Sequence, residues 1–135
     1  MKLCRIGELG KEQPAIIDKD GSYKDLSSVI SDLNPESLNF ETIEKIKKIN
    51  IKDLPALDAN SRVGACVSNP SKFLGIGLNF KDHATEQNLP IPKEPIIFSK
   101  FTNCIVGPND NIEVPKNSNH TDWEVEIGFV IGKKA

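Results

Sequence analysis

The sequence predicts an α+β, β-rich chain in which a small N-terminal α/β module precedes the beginning of a second, strand-dominated domain. Three observations carry this reading. Short apolar runs bounded by turn residues recur along the chain. Two stretches, residues 26–33 and 40–49, carry apolar residues at helical spacing. Between residues 49 and 69 the chain carries Pro55 and Gly64 among scattered apolar pairs, the texture of a connecting segment. The boundary is placed at residues 59–69, giving an N-terminal module of residues 1–68 and a partial second domain of residues 69–135.

Taken in order, residues 3–6 and 15–17 read as short strands, and Asp18-Lys19-Asp20-Gly21 as a turn in which Gly21 adopts positive φ. Asp25 is a candidate cap for a short helix through Leu26, Val29, Ile30 and Leu33, which Asn34-Pro35 would end. Ile43, Ile46 and Ile49 make an apolar stripe on a second helix, residues 40–49, with Glu41, Glu44, Lys45, Lys47 and Lys48 on its wet side. Strands are expected at residues 73–76, 95–98, 112–114 and 123–131, with a helix at residues 79–88 capped by Asn79.

A formal net charge of −2 offers no broad basic field, so neither nucleic acid nor an anionic membrane is expected as a partner. No run approaches the roughly 20 apolar residues of a membrane-spanning helix, and the start of the chain lacks a signal-peptide pattern, so a cytoplasmic location is expected. Cys4, Cys66 and Cys104 are odd in number and widely spaced, with apolar neighbours and no adjacent histidine. Reduced, buried and unreactive thiols are expected.

Three segments carry chemical groups. In the strand-like DWEVEIGFVI of residues 122–131, Asp122, Glu124 and Glu126 fall on one face and Trp123, Val125 and Ile127 on the other. Glutamates two apart on a strand can converge on one hard divalent cation; a half-buried strand with a solvated acidic face is the alternative. In LGIGLNFKDHATE, residues 74–86, His83 and Glu86 stand three apart on a helix, where the carboxylate can orient the imidazole as a general base. A weak surface pair is the alternative there. In PIIFSK, residues 95–100, Lys100 follows a strand and could meet an anionic substrate, although exposed lysines are common. Gly75 and Gly77 lack the third glycine of a dinucleotide fingerprint and are expected to permit a close turn. His120 is expected to be exposed.

Together, GLNFKDHATE at residues 77–86, PIPKEPIIFSKFTNCIVGPND at residues 90–110 and DWEVEIGFVIGKKA at residues 122–135 resemble the fumarylacetoacetate hydrolase family. The opening MKLCRIGELG and the DGSYKDLS stretch resemble the N-terminal module of many bacterial members. The resemblance implies that residues 69–135 begin the mixed β-sandwich-roll catalytic domain. It makes Glu124 and Glu126 two of three carboxylate ligands of Mg²⁺ or Mn²⁺, with Ca²⁺ also compatible. Asp122 belongs to the motif without being a ligand. His83 and Glu86 become the water-activating dyad, and Lys100 a substrate-binding lysine. Phe80 stands where the family usually has tyrosine, and Phe101 where a small residue or proline is frequent; both bear on substrate preference. The third ligand, an aspartate further along in the family, has no counterpart before Ala135, so a truncated chain is expected.

The implied activity is hydrolysis of a C–C bond in a 2,4-dioxo acid, an acylpyruvate or a 2,4-diketo-3-deoxy sugar acid, to pyruvate and a carboxylic acid. Ureidoglycolate lyase, isomerase and decarboxylase activities of the same family are the alternatives. From another class, the alternative is a truncated, non-catalytic fragment. The implied partners are a small 2-oxo acid and, in the complete enzyme, a second subunit in a homodimer.

Overall fold

Alternation of side chains across residues 2–6 and 13–17 builds the first sheet. In the computed structural model, which describes residues 1–133, these residues form β1 (Lys2–Ile6) and β2 (Gln13–Ile17), joined by β3 (Tyr23–Asp25) in an antiparallel sheet ordered β1-β2-β3. Gly21 (φ +88°) turns the chain between β2 and β3, and the Asp18 amide donates to the Ser22 carbonyl at 2.9 Å. The register sets Leu3 opposite Ile16 and Cys4 opposite Ala15. Because neighbouring positions point to opposite faces, the sheet feeds two apolar clusters. Ile16 packs with Leu26, Ile30, Leu33 and Ile46, whereas Cys4, Ile6 and Ala15 pack with Tyr23, Leu57 and Val63.

Helix α1 (Phe40–Lys47) buries Ile46, and Asn39 caps it by accepting the Thr42 amide at 2.9 Å. Residues 26–33 bury the expected apolar side chains but do not form the expected helix. A single helical bond, from the Ile30 amide to the Leu26 carbonyl at 3.0 Å, is made, and Asp25 accepts the Ser27 amide at 2.7 Å instead of opening a helix. The Asp32 carboxylate accepts the Leu33 amide at 2.8 Å and is gripped by Arg5, which ties the segment down outside a helix.

The stretch of residues 49–69 is more than a connector. It reaches both edges of the sheet, through an isolated Ile6–Val63 bridge at the end of β1 and a Lys24–Ala56 bridge beside β3, so each edge is covered in part.

The chain divides into two compact units, one of residues 1–69 with the segment from Val106 onward, the other of residues 70–105. In the second unit, β4 (Phe73–Gly77) and β5 (Ile96–Lys100) form an antiparallel pair, and α2 (Lys81–Glu86) lies between them in sequence. The strands expected at residues 112–114 and 123–131 are absent from the structure, where these residues have no ladder partner. A strand pattern secures a strand only when a neighbour supplies the hydrogen bonds. Cys4 is buried and burial pushes its thiol pKa up. Cys66 and Cys104 are exposed, contrary to expectation, because their apolar neighbours do not fold over them. The architecture is α+β and β-rich. No helix among the described residues is long and apolar enough to cross a membrane.

Candidate functional site

The turn from β4 into α2 places the histidine. Gly77 ends β4, and Leu78 takes a left-handed conformation (φ +50°), which costs a side-chain-bearing residue roughly 1–2 kcal/mol. Helix α2 then starts after Phe80; Asn79 does not cap it, and Phe80 supplies no side-chain bond either. The helix ends sharply. The Leu89 amide donates to the Ala84 carbonyl at 2.9 Å and the Asn88 amide to the Thr85 carbonyl at 3.0 Å, with Asn88 at φ +53° closing the motif. Ala84 is the buried residue of this helix, so His83 and Glu86 lie on its exposed part.

His83 and Glu86 are brought together as the i, i+3 spacing predicts. The imidazole Nδ1 lies 3.7 Å from the Glu86 Oε2, an ion-pair separation that exceeds a hydrogen bond. Both side chains reach solvent.

Lys100 ends β5 opposite Phe73. Its ammonium stands 5.7 Å from the centroid of Phe73 and 5.8 Å from that of Phe98, close enough for both ring faces to attract it. Gly75, opposite Phe98, makes this possible: a Cβ there would lie 2.5 Å from the Phe98 Cζ. Sequence reasoning singled out Lys100 but not this aromatic seat. Its only sequence signal was Phe73 and Phe98 flanking the small residue at 75, and pairing two strands requires knowing their register.

Glu124 and Glu126 are exposed on a segment without secondary structure in the first unit, whereas His83, Glu86 and Lys100 belong to the second. Carboxylates are the donor type that Mg²⁺ or Mn²⁺ takes. Among the described residues, however, no group of three or more His, Cys, Asp or Glu side chains gathers. The donor chemistry fits a hard divalent cation; the number of donors does not complete a site. A concavity along α1, lined by Asn39, Glu41, Thr42, Glu44, Lys45 and Lys48, holds none of these residues. His120 is exposed, as expected.

An ion-pair chain in the first unit was not legible in the sequence. Arg62 bonds Asp110 and Glu12, and Arg5 bonds Asp32 and approaches Glu12 at 3.5 Å. Burial would raise the Glu12 carboxyl, but the Arg62 hydrogen bond and the charges of Arg5 and Arg62 bring it below the usual carboxylate range. Asp32 is lowered in the same way, burial being outweighed by Arg5 and the Leu33 amide. Asp110 is lowered by Arg62 and by the Gly107 amide.

Residues 72–135 match the family described as fumarylacetoacetate hydrolase, C-terminal. A provisionally named hydrolase of Burkholderia lata is 48% identical over 132 residues, covering 98% of this chain and 47% of that protein. One of Burkholderia cenocepacia is 48% identical over 134 residues, covering 99% of this chain and 48% of its own length. The chain therefore spans about half the length of the curated relatives it matches. A crystal structure of a protein provisionally named HpcE from Mycobacterium smegmatis superposes with a TM-score of 0.64 at 26% identity, covering 83% of this chain and 40% of that one.

Proposed function

Since residues 72–135 of this chain belong to the fumarylacetoacetate hydrolase family, we propose that it contributes to a metal-dependent hydrolase that cleaves a C–C bond in a 2,4-dioxo acid, an acylpyruvate or a 2,4-diketo-3-deoxy sugar acid. The observation that carries this reading is the pairing of His83 and Glu86 on the short helix α2, within the matched region. The products are pyruvate and a carboxylic acid.

In this reading His83 takes a proton from water at Nε2, with Glu86 beside Nδ1 to orient the ring. Hydroxide adds to the C4 carbonyl carbon, the C3–C4 bond breaks, and its electron pair passes to C3 as the enolate of pyruvate, which a proton then quenches. Lys100, seated on Phe73 and Phe98, meets the substrate carboxylate. Members of this family generally use a divalent metal; when bound, such an ion would supply Lewis acidity toward a 2-oxo acid. Glu124 and Glu126 are the ligands proposed from this chain, with Mg²⁺ or Mn²⁺ as the ion. The working unit is proposed to be a cytoplasmic homodimer acting on a small 2-oxo acid, with neither nucleic acid nor membrane as a partner.

A second reading has its own support. Glu124 and Glu126 lie on an unpaired segment without a third clustered donor among the described residues, which fits a chain that is non-catalytic by itself. Product analysis separates the readings. Acylpyruvate is incubated with the chain and Mg²⁺ or Mn²⁺, with and without EDTA, and pyruvate, carbon dioxide and isomeric acid are quantified. Pyruvate formed one-for-one with the carboxylic acid, and abolished by EDTA, supports the hydrolase. Carbon dioxide or an isomer without pyruvate would assign a different reaction, and no turnover by a folded sample favours the non-catalytic reading.

A further inference from the structure

The pairing of β4 with β5 sorts their side chains onto two faces. Residues directly opposite one another in an antiparallel pair share a face, so Phe73 with Lys100, Gly75 with Phe98 and Gly77 with Ile96 make up one of them. None of these six positions carries a hydroxyl, an amide or a carboxylate. The charge on the face is that of Lys100, which makes no ion pair among the described residues, and the reverse face has no charged residue.

The face is amphipathic along its length. Lys100 marks one end, its ammonium 5.7 Å from the Phe73 centroid and 5.8 Å from that of Phe98. Ile96 marks the other end, roughly 13 Å away along the strand. Between them the Phe98 ring lies flat. A Cβ on Gly75 would stand 2.5 Å from Cζ and 2.9 Å from each Cε, equal separations that set the face of the ring, not its edge, against the β4 backbone. Glycine at position 75 thus lets the ring lie down, and its other face turns outward; Phe98 stays 45% exposed and Ile96 47%.

We propose that this face binds a monocarboxylate with an apolar chain, the carboxylate on the Lys100 ammonium and the chain laid across Phe73 and Phe98 toward Ile96. The proposal rests on the reading of Lys100 as the group that meets the substrate carboxylate, and deepens it by naming the acyl portion. Of the two substrate classes, the face fits an acylpyruvate with an apolar acyl group and not a sugar acid. The ammonium gives the carboxylate a charge-assisted hydrogen bond, and each methylene taken from water onto the rings contributes about 0.8 kcal/mol at full burial. A polyhydroxylated chain would give up its hydration on a strip that returns no hydrogen bond.

The test is a titration of the ¹³C-labelled 135-residue chain in EDTA, read by NMR at the Lys100 ε-methylene and the Phe98 ring. Octanoate is the probe; gluconate, a polyhydroxylated carboxylate, and octanamide, without the charge, are the comparisons. Octanoate should shift both signals saturably and bind about tenfold or more tighter than either comparison. Lys100→Met, read at Phe98, should bring octanoate down to the affinity of octanamide. Gly75→Val, which puts a side chain where the ring lies, should weaken octanoate several-fold; should that variant not fold, Phe98→Ser replaces it with the same expectation, read at Lys100. Octanoate that moves neither signal, gluconate bound as tightly, or undiminished octanoate binding by Lys100→Met would each overturn the proposal. No metal or turnover enters these readouts, so failure of the proposed C–C hydrolysis would leave them unchanged, whereas gluconate preferred over octanoate would overturn the site and leave the reaction standing.

Discussion

Arg62 grips Asp110 at two points, with Nε donating to Oδ1 at 2.7 Å and Nη2 to Oδ2 at 2.5 Å. The third arm of the guanidinium, Nη1, donates to Glu12 Oε1 at 2.7 Å, and Asp110 Oδ2 also accepts the Gly107 amide at 2.7 Å. One side chain therefore fastens the turn at residues 107–110 to the start of β2. The fork geometry is specific to arginine. Arg62→Ala should lower the thermal midpoint and speed amide exchange at Gly107, and Arg62→Lys should restore little of either. Unchanged exchange at Gly107 would show that the turn holds itself.

Acid should loosen the same network. The carboxyls of Asp110, Glu12 and Asp32 all titrate below their ordinary values in the folded chain. A depressed carboxylate contributes stability that is fully present above its unfolded pKa, about 4, and is lost as pH falls through the lower folded value. Urea midpoints should therefore be flat from pH 7 to about 5 and fall progressively below about 4. Arg62→Ala should flatten that fall, and a wild-type profile retained in the variant would remove the ion pairs as its cause.

The core of the first unit offers a calibration. Leu26 is fully buried against Ile16, Ile30, Leu33 and Ile46, so Leu26→Ala should cost about 2–5 kcal/mol in urea unfolding. Leu9 is 80% exposed, and Leu9→Ala should change stability by less than about 0.5 kcal/mol. Equal effects would mean that the cluster is not the core.

The seat of Lys100 depends on the absence of a side chain at Gly75, across which the Phe98 ring lies. Gly75→Val should displace that ring, seen as loss of the upfield ring-current shift on the Lys100 ε-protons. Phe73→Leu should remove part of the shift and leave the strand pair intact. An unshifted Lys100 in the wild type would contradict the cation–ring contact.

Sequence reached those features whose causes are local. Short apolar runs bounded by a turn placed β1 and β2, the isoleucine stripe placed α1, and the three-residue spacing brought His83 to Glu86; the Asn39 cap was not foreseen. It failed where a distant group decides. Asp32 is drawn to Arg5, 27 residues away, and Arg62 to Asp110, 48 residues away, with nothing in either neighbourhood to announce the partner. The alternation at residues 123–131 was read as a strand, yet a strand is a relation between two segments and the described residues provide no second one. The carboxylate pair on that segment was visible in the sequence for the same reason that its completion was not: spacing is local, and a cation site is assembled from afar.

The most direct measurement is the initial rate of acylpyruvate loss, followed by its ultraviolet absorbance with saturating Mn²⁺, for the wild-type chain and for His83→Gln under identical conditions. A fall of about 10²-fold or more is expected for a general base, with Glu86→Gln giving a smaller fall; a wild-type rate from His83→Gln would contradict the assignment of His83 as the group that activates water.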